Sequence, residues 1–371
     1  MKIGIPKETF PGEQRVGLIP AAAARLTKAG FTVVVEEGAG EAAGFPDDAY
    51  VDTGITMVAT GGGGLGDADL ILKVQPPTLE EAAVYGEGSN LVALLQPGRI
   101  DEVYQALARR NITAFAMELV PRTTKAQSMD VLSSQATVAG YKAVLVAASA
   151  QGKLLPMLTT AAGTLAPAKA FIIGAGVAGL QAVATARRLG AIVSAFDVRA
   201  VVREQVESLG ASFIEAEAVA EAEGAGGYAK VLAEEQQEKV LAAIAGHVPD
   251  MDIVITTAQI PGKPAPLLIT EPMVRSMRPG SVIVDLAAET GGNCALTKAG
   301  ETVVAGGVKI IGPVNLAATV PLHASQMYSK NLTTFVEYIT EEGALTIDLD
   351  DPITGPMCVV ANGEVRFGRT T

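Results

Sequence analysis

The sequence predicts an α/β protein made of two doubly wound parallel-sheet domains. Three observations predict it. Short apolar runs alternate with helical stretches along the first 120 residues, the pattern of parallel strands joined by crossover helices. A second series of apolar runs follows a long helical segment near 134–150. At 371 residues the chain exceeds what one ordinary core accommodates, so two domains are expected.

Taken in order, the opening KIGIP, FTVVVEE (31–37), LILKV (70–74), NLVALL (90–95) and ITAFAMEL (112–119) read as strands. PAAAARLTKAG (20–30) reads as a helix, with Pro20 at its start, where the missing N–H costs nothing, and Gly30 past its end. IDEVYQALARRN (100–111) reads as another. In the second series the expected strands are AFIIG (170–174), AIVSAFD (191–197), MDIVITTA (251–258), SVIVDLAA (281–288) and VKIIG (308–312). They are rich in Val and Ile without alternation, as strands buried on both faces should be. Residues 215–245 are Glu/Ala-rich and contain GAGGYAK, whose glycines predict a mobile surface loop between helical pieces. QMYSKNLTTFVEYIT, in the tail, reads as a helix.

Composition narrows the possibilities. The chain is 49% hydrophobic and 18% charged with no Trp, so its cores must be built from Ala, Val, Ile and Leu. A formal charge of −12 argues against nucleic acid and against an anionic membrane surface as direct partners. Cys294 and Cys358 form no CxxC pair, and His247 and His323 are equally isolated, so no metal site is expected. The chain reads as a reduced cytoplasmic protein, and MKIGIPKE lacks the apolar core of a secretory leader. Residues 170–186 carry no charge, but the glycines at 174, 176 and 179 predict a strand, a turn and a buried helix there. No membrane span is expected.

The sharpest local signal is GAGVAG (174–179), which follows AFIIG and opens the helical stretch LQAVATARRLG. In this strand–turn–helix context it is the dinucleotide-binding fingerprint of a Rossmann domain. Gly174 permits the tight turn, Gly176 lets backbone approach a pyrophosphate, and Gly179 lets helix pack on strand. Val177 and Ala178 then bring the helix N-terminus to the phosphates. Asp197 follows Gly179 by 18 residues, placed to accept from the adenosine ribose hydroxyls. A carboxylate there repels a 2′-phosphate, so NAD(H) is favoured over NADP(H). Arg199, two residues on, works against that preference.

The second signal is PRTTKAQSMDVLSSQ (121–135), at the junction of the two strand series. Asp130 or Ser128 is able to cap the helix that follows. On spacing alone the segment reads as a loop whose Arg122, Gln127, Asp130 and Ser133 reach the nicotinamide half of the cofactor, ahead of the alternative of a capped interdomain linker.

With these motifs stand EQRVGLIP, LKVQPP, AMELVPR, AGYKAV, DVRA, REQVESLGA, ITTAQIPGKPAP and VDLAAETGGNC. In combination they make the chain, over nearly its whole length, resemble the NAD(H)-binding component of the proton-translocating nicotinamide nucleotide transhydrogenases. The resemblance implies two Rossmann-like domains with the nucleotide in the cleft between them, the first spanning 1–130 and completed by 325–371, the second spanning 131–324. It implies a nicotinamide-proximal loop of Arg122, Gln127, Ser128, Met129, Asp130 and Ser133, with Gln127, Arg122 and Asp130 closest to the chemistry. It adds Val198, Ala258 and Gln259 to the cofactor contacts, and Gly227 and Tyr228 in a loop that closes over bound nucleotide. It further implies a homodimer acting in Si–Re-specific hydride transfer from NADH to NADP⁺, with NADP(H) held by a partner subunit and not by this chain. Proton translocation would belong to the partner's membrane-spanning domain, which would hold this cytoplasmic chain peripherally on the inner membrane.

The same stretches also resemble alanine dehydrogenase. There Arg and Lys at the positions of Arg15 and Lys73 would bind substrate, a histidine acid/base would stand at Gln96, and an aspartate at Glu289. Glutamine exchanges no proton near neutral pH. Removing hydride from an amino acid needs a proton acceptor, whereas passing it between two nicotinamides needs none, so Gln96 favours transhydrogenation. Arg15 and Lys73 are then expected to be structural, as ion-pair partners. A catalytically silent NAD(H)-binding module is the third reading.

Overall fold

The structure, a computed structural model, describes residues 1–371 except 62, 99, 216–233, 261–262 and 368–371. The chain divides into two compact units, Met1–Gln135 with Ala317–Thr371, and Ala136–Leu316.

In the first unit an eight-stranded sheet runs Glu364–Val365, Cys358–Ala361, Thr113–Ala116, Asn90–Ala93, Leu70–Leu72, Lys2–Ile5, Thr32–Glu36, Thr56–Val58. Its six N-terminal strands are parallel and are ordered 3-2-1-4-5-6 from the Thr56–Val58 edge, the doubly wound order. Alternate residues feed two cores. Ile3, Ile5, Leu70, Leu72, Val92 and Phe115 face one; Ile71, Leu91, Ala93, Ala114 and Ala116 face the other. A sheet covered on both faces has no polar side to show, which is why these strands lack alternation.

The second unit repeats the plan. Its sheet runs Ser212–Ile214, Ile192–Phe196, Lys169–Ile173, Ile253–Thr256, Val282–Asp285, Val308–Ile311, Thr302–Ala305. Again the first six strands in space are parallel, here in the chain order 3-2-1-4-5-7, because the sixth strand in sequence, Thr302–Ala305, turns back to the edge. Ile172, Ile255 and Val284 point into one core and Phe171, Val254 and Ile283 into the other.

The doubly wound parallel sheets carry antiparallel strands at their margins. Cys358–Ala361 pairs antiparallel with Thr113–Ala116, and Glu364–Val365 antiparallel with Cys358–Ala361. Thr302–Ala305 pairs antiparallel with Val308–Ile311. The sheets are therefore mixed, with antiparallel edges on parallel centres. Strands Thr56–Val58, Ser212–Ile214 and Thr302–Ala305 escaped the sequence reading because each is only three or four residues long and partly exposed.

The uncharged stretch at 170–186 resolves into strand Lys169–Ile173, a turn, and helix Val177–Arg188. The 20-residue helix Val131–Ala150 is long and apolar enough to cross a membrane by length and composition. In the second unit its Ala143, Val144 and Ala147 are buried in the core.

Candidate nucleotide-binding site

The order of the second sheet reverses at strand Lys169–Ile173, which has Ile192–Phe196 on one side and Ile253–Thr256 on the other. A crevice opens outside the carboxyl end of a strand at such a point. Residues 174–179 lie there. Gly174 has φ +98°, and a Cβ on it would stand 2.5 Å from Thr257 Oγ1. A Cβ on Gly179 would stand 1.8 Å from the Gly174 carbonyl oxygen. Gly140, on the Val131–Ala150 helix, meets the same turn from behind, where a Cβ would lie 2.1 Å from the Ala178 carbonyl oxygen. Gly176 differs from all three, because a Cβ there would meet nothing within 4 Å.

The Val177–Arg188 helix starts at Gly176 with no side-chain cap and no acid in its first turn. The space beside Gly176 is open and the positive end of the helix lies there, so the turn fits a diphosphate. Three of these glycines are required by the fold, and Gly176 is not.

Asp197 ends the neighbouring strand. Its Oδ2 accepts from the Ala175 N–H at 2.7 Å, which ties it to the turn. Its carboxylate also accepts from Arg199 through the backbone N–H (2.9 Å), Nε (2.9 Å) and Nη2 (2.8 Å). The expected ribose acceptor is thus already clamped by the guanidinium that the sequence set against it. Val198 packs partly buried on the second core face.

Ala258 and Gln259 follow strand Ile253–Thr256. The Asn293 side chain grips Ala258 from both sides, accepting its N–H (3.1 Å) and donating to its carbonyl (2.9 Å), and it also donates to Pro266 O (2.8 Å). Asn293 is itself held by Asp285, which is fully buried. That carboxylate accepts from Thr256 Oγ1, Thr297 Oγ1 and the amides of Ala287, Asn293 and Cys294. Gln259 is exposed and donates to Leu286 O at 3.0 Å. Sequence reasoning missed Asp285 and Asn293. The available signal was an aspartate ending a strand otherwise made of Val and Ile, since a buried charge needs a full set of donors.

In the first unit, residues 121–135 form a short 3-10 turn, Gln127–Met129, and the start of helix Val131–Ala150. Asp130 is the cap. It accepts from the Ser133 N–H (2.9 Å) and the Ser133 hydroxyl (2.6 Å), and lies 4.0 Å from Arg122 Nε. Ala126 and Met129 are buried while Arg122, Gln127 and Ser128 are exposed. Met129 is therefore an anchor, and its side chain is not available to a ligand.

Arg15 and Lys73 also lie in the first unit, both buried and both ion-paired. Arg15 Nη2 is 2.7 Å from Glu13, with Nη1 donating to Gln135 Oε1 at 2.8 Å. Lys73 Nζ is 3.0 Å from Glu81 and 3.5 Å from Glu8. Burial pushes the Glu8 carboxyl up, against the opposing pull of Lys73. Gln96 sits at φ +48°, its amide N–H held 2.6 Å from Glu118, whose carboxyl burial also raises. Glu289 is exposed and accepts from the Asn315 amide at 2.6 Å. His247 caps a helix end through Ala243 O, His323 is exposed, and Cys294 and Cys358 are buried thiols. Among the described residues no His, Cys, Asp and Glu side chains are grouped as metal ligands. Gly227 and Tyr228 lie outside the described residues.

Residues 4–139 match the description "Alanine dehydrogenase/PNT, N-terminal domain", and residues 143–368 match "Alanine dehydrogenase/PNT, C-terminal domain". The chain is 48% identical to the first part of the NAD(P) transhydrogenase alpha subunit of Rhodospirillum rubrum, covering 98% of this chain and 97% of that protein. It is 30% identical to the alanine dehydrogenase of Bacillus subtilis, over 99% of this chain and 93% of that one. Among solved structures, a transhydrogenase from Sinorhizobium meliloti superposes with a TM-score of 0.91 at 45% identity, covering 99% of this chain and 100% of that one.

Proposed function

The chain belongs to the alanine dehydrogenase/PNT family, and on that premise we propose that it is the NAD(H)-binding subunit of a proton-translocating NAD(P) transhydrogenase. The observation that carries the reading is the 174–179 turn. Gly176 opens onto empty space and the Val177–Arg188 helix presents uncapped amides there, which suits the diphosphate of a dinucleotide. Bound NADH would supply a hydride to NADP⁺ carried by a partner subunit. The chain's own role is to bind, orient and exclude water. In this reading Gly174, Gly176, Val177, Ala178, Gly179, Asp197, Val198, Arg199, Ala258 and Gln259 serve the nucleotide. Arg122, Gln127, Ser128, Asp130 and Ser133 serve the nicotinamide, and Gly227 and Tyr228 complete the set.

The polar residues of the first unit support transhydrogenation over amino-acid oxidation. Arg15 and Lys73, the cations a substrate carboxylate would need, are each engaged by a carboxylate of the chain itself. Gln96 offers no group that takes a proton. Mixed with a transhydrogenase NADP(H)-binding component, the chain is expected to exchange hydride with it. Alone with NAD⁺ and alanine it is expected to form no NADH, and Gln96→His is expected not to restore that activity. Alanine turnover at a dehydrogenase's rate, with no exchange in the mixture, would reverse the assignment.

Nucleotide choice gives a second test. The Arg199 guanidinium neutralises Asp197 in place, so repulsion of a 2′-phosphate is partly cancelled. Arg199→Ala should therefore widen the preference for NADH over NADPH. Asp197→Ala should lower NADH affinity and, by releasing Arg199 toward a 2′-phosphate, narrow the preference. Titration of both nucleotides into both variants checks this, and an unchanged ratio in both removes Asp197 from the ribose.

A homodimer, docked on an NADP(H)-binding subunit and reaching the membrane only through that subunit's spanning domain, completes the proposal. The exposed hairpin Leu158–Thr160 and Gly163–Leu165 favours self-association. Two isolated strands are marginal in water, yet this pair leaves Leu158 and Leu165 exposed, with Leu154 and Met157 beside them.

A further inference from the structure

We propose that Asn331 is a positioning residue for hydride transfer, acting through the 121–135 segment without touching nucleotide. The inference rests on the reading that this segment orients the nicotinamide. Asn331 lies on helix Pro321–Tyr338, about two hundred residues away in sequence, and is 7% exposed. Its Nδ2 donates to Ser128 O at 2.8 Å, and its Oδ1 accepts from Ser134 Oγ at 2.7 Å. One amide thus joins the two halves of the segment, the 3-10 turn Gln127–Met129 and the first turn of helix Val131–Ala150.

A second pin comes from the same helix. Lys125 Nζ stands 4.7 Å over the Tyr338 ring and donates to its hydroxyl at 3.2 Å, while that hydroxyl donates to Asp351 at 2.7 Å. Between the pins Ala126 and Met129 are buried and Gln127 is exposed. The exposed side chain therefore projects from a backbone held at both ends by one helix. A single short turn, with only a few backbone bonds of its own, has limited stiffness. Its precision must come from what it is bonded to, and a shift of about 1 Å at a reacting centre costs on the order of 100-fold in rate.

The test compares Asn331→Ala and Asn331→Asp with Ser329→Ala, each made in the full chain. Asp keeps the acceptor for Ser134 but turns an oxygen toward Ser128 O. Ser329 lies close by on the same helix and bonds Gly17 O and the Ile19 amide, away from the segment. Three quantities are read: single-turnover hydride transfer with the NADP(H)-binding component, NADH affinity of the chain alone, and amide exchange at Met129 and Ser133 without nucleotide. Both Asn331 variants should lose about tenfold or more in transfer, bind NADH within about twofold of wild type, and exchange those amides faster. Ser329→Ala should lower the melting temperature comparably while transfer and those amides stay as in wild type.

Transfer at the wild-type rate in both Asn331 variants, with Gln127→Asn slow, would overturn the role of Asn331 and spare the segment. Equal slowing by Ser329→Ala would reduce Asn331 to general stability. Normal transfer in Gln127→Asn would remove the segment's role, and this proposal with it. Should Asn331→Ala fail to fold, Asn331→Ser is read in the same three ways.

Discussion

Gln127→Asn is expected to slow hydride transfer on the order of 100-fold while leaving NADH affinity nearly unchanged. Gln127 is exposed on a turn anchored by two buried residues, Ala126 before it and Met129 at its end. Its amide both donates and accepts, so it can bridge two polar partners at once. Asparagine keeps the group and shortens its reach by one methylene. An interaction made only when donor and acceptor nicotinamides meet is lost from the rate and not from ground-state binding. The measurement is paired: NADH titration of the isolated variant, and single-turnover transfer in the reconstituted complex. An unchanged rate would return 121–135 to the status of a linker capped by Asp130. A large loss of affinity would move Gln127 into ground-state binding and leave the bridging role to Arg122.

Rate measurements are needed here because linker and nicotinamide loop would use the same residues. Asp130 caps the helix and Met129 anchors the turn, as any well-made connection would have. The sequence could identify a polar segment between a strand and a helix. It could not identify what holds that segment, since Asn331 and Tyr338 come from a helix about two hundred residues further on.

The same contrast runs through the fold. Both doubly wound sheets were legible because Val/Ile-rich strands and Pro- or Gly-bounded helices carry local signals. Strand Cys358–Ala361 was not, because four residues after a long tail have no pattern until Thr113–Ala116 is there to pair with. In the 174–179 turn the glycine spacing was readable, and so was the opposition of Arg199 to Asp197. The Asp285–Asn293 brace beneath Ala258 was not. A buried carboxylate is recognised by its donors, and four of these lie within twelve residues of it while the fifth, Thr256, comes from the adjacent strand.

The glycines of the turn separate fold from ligand most sharply. Gly179→Ala is expected to destabilise the protein by about 3 kcal/mol or more, because the added methyl would sit 1.8 Å from the Gly174 carbonyl oxygen. That oxygen is backbone, and Thr257 Oγ1 donates to it at 3.1 Å, so the strand end must shift to make room. A fall in melting temperature of about 10 °C follows for a domain of this size, and NADH binding should go with it. Gly176→Ala is expected to behave in the opposite way. Its backbone is extended (φ −76°, ψ −167°), which any residue adopts, and a Cβ there meets nothing within 4 Å. Folding should be unaffected. The methyl would nevertheless stand where a diphosphate must approach the helix amides, so NADH affinity should fall about tenfold or more, a loss of about 1.4 kcal/mol at the least. Thermal melts and NADH titrations of the two variants decide the matter together. A Gly176→Ala protein that melts normally and binds NADH as tightly as wild type would take the dinucleotide away from this turn. A Gly179→Ala protein that melts normally would mean that helix and strand do not meet as closely as they do here.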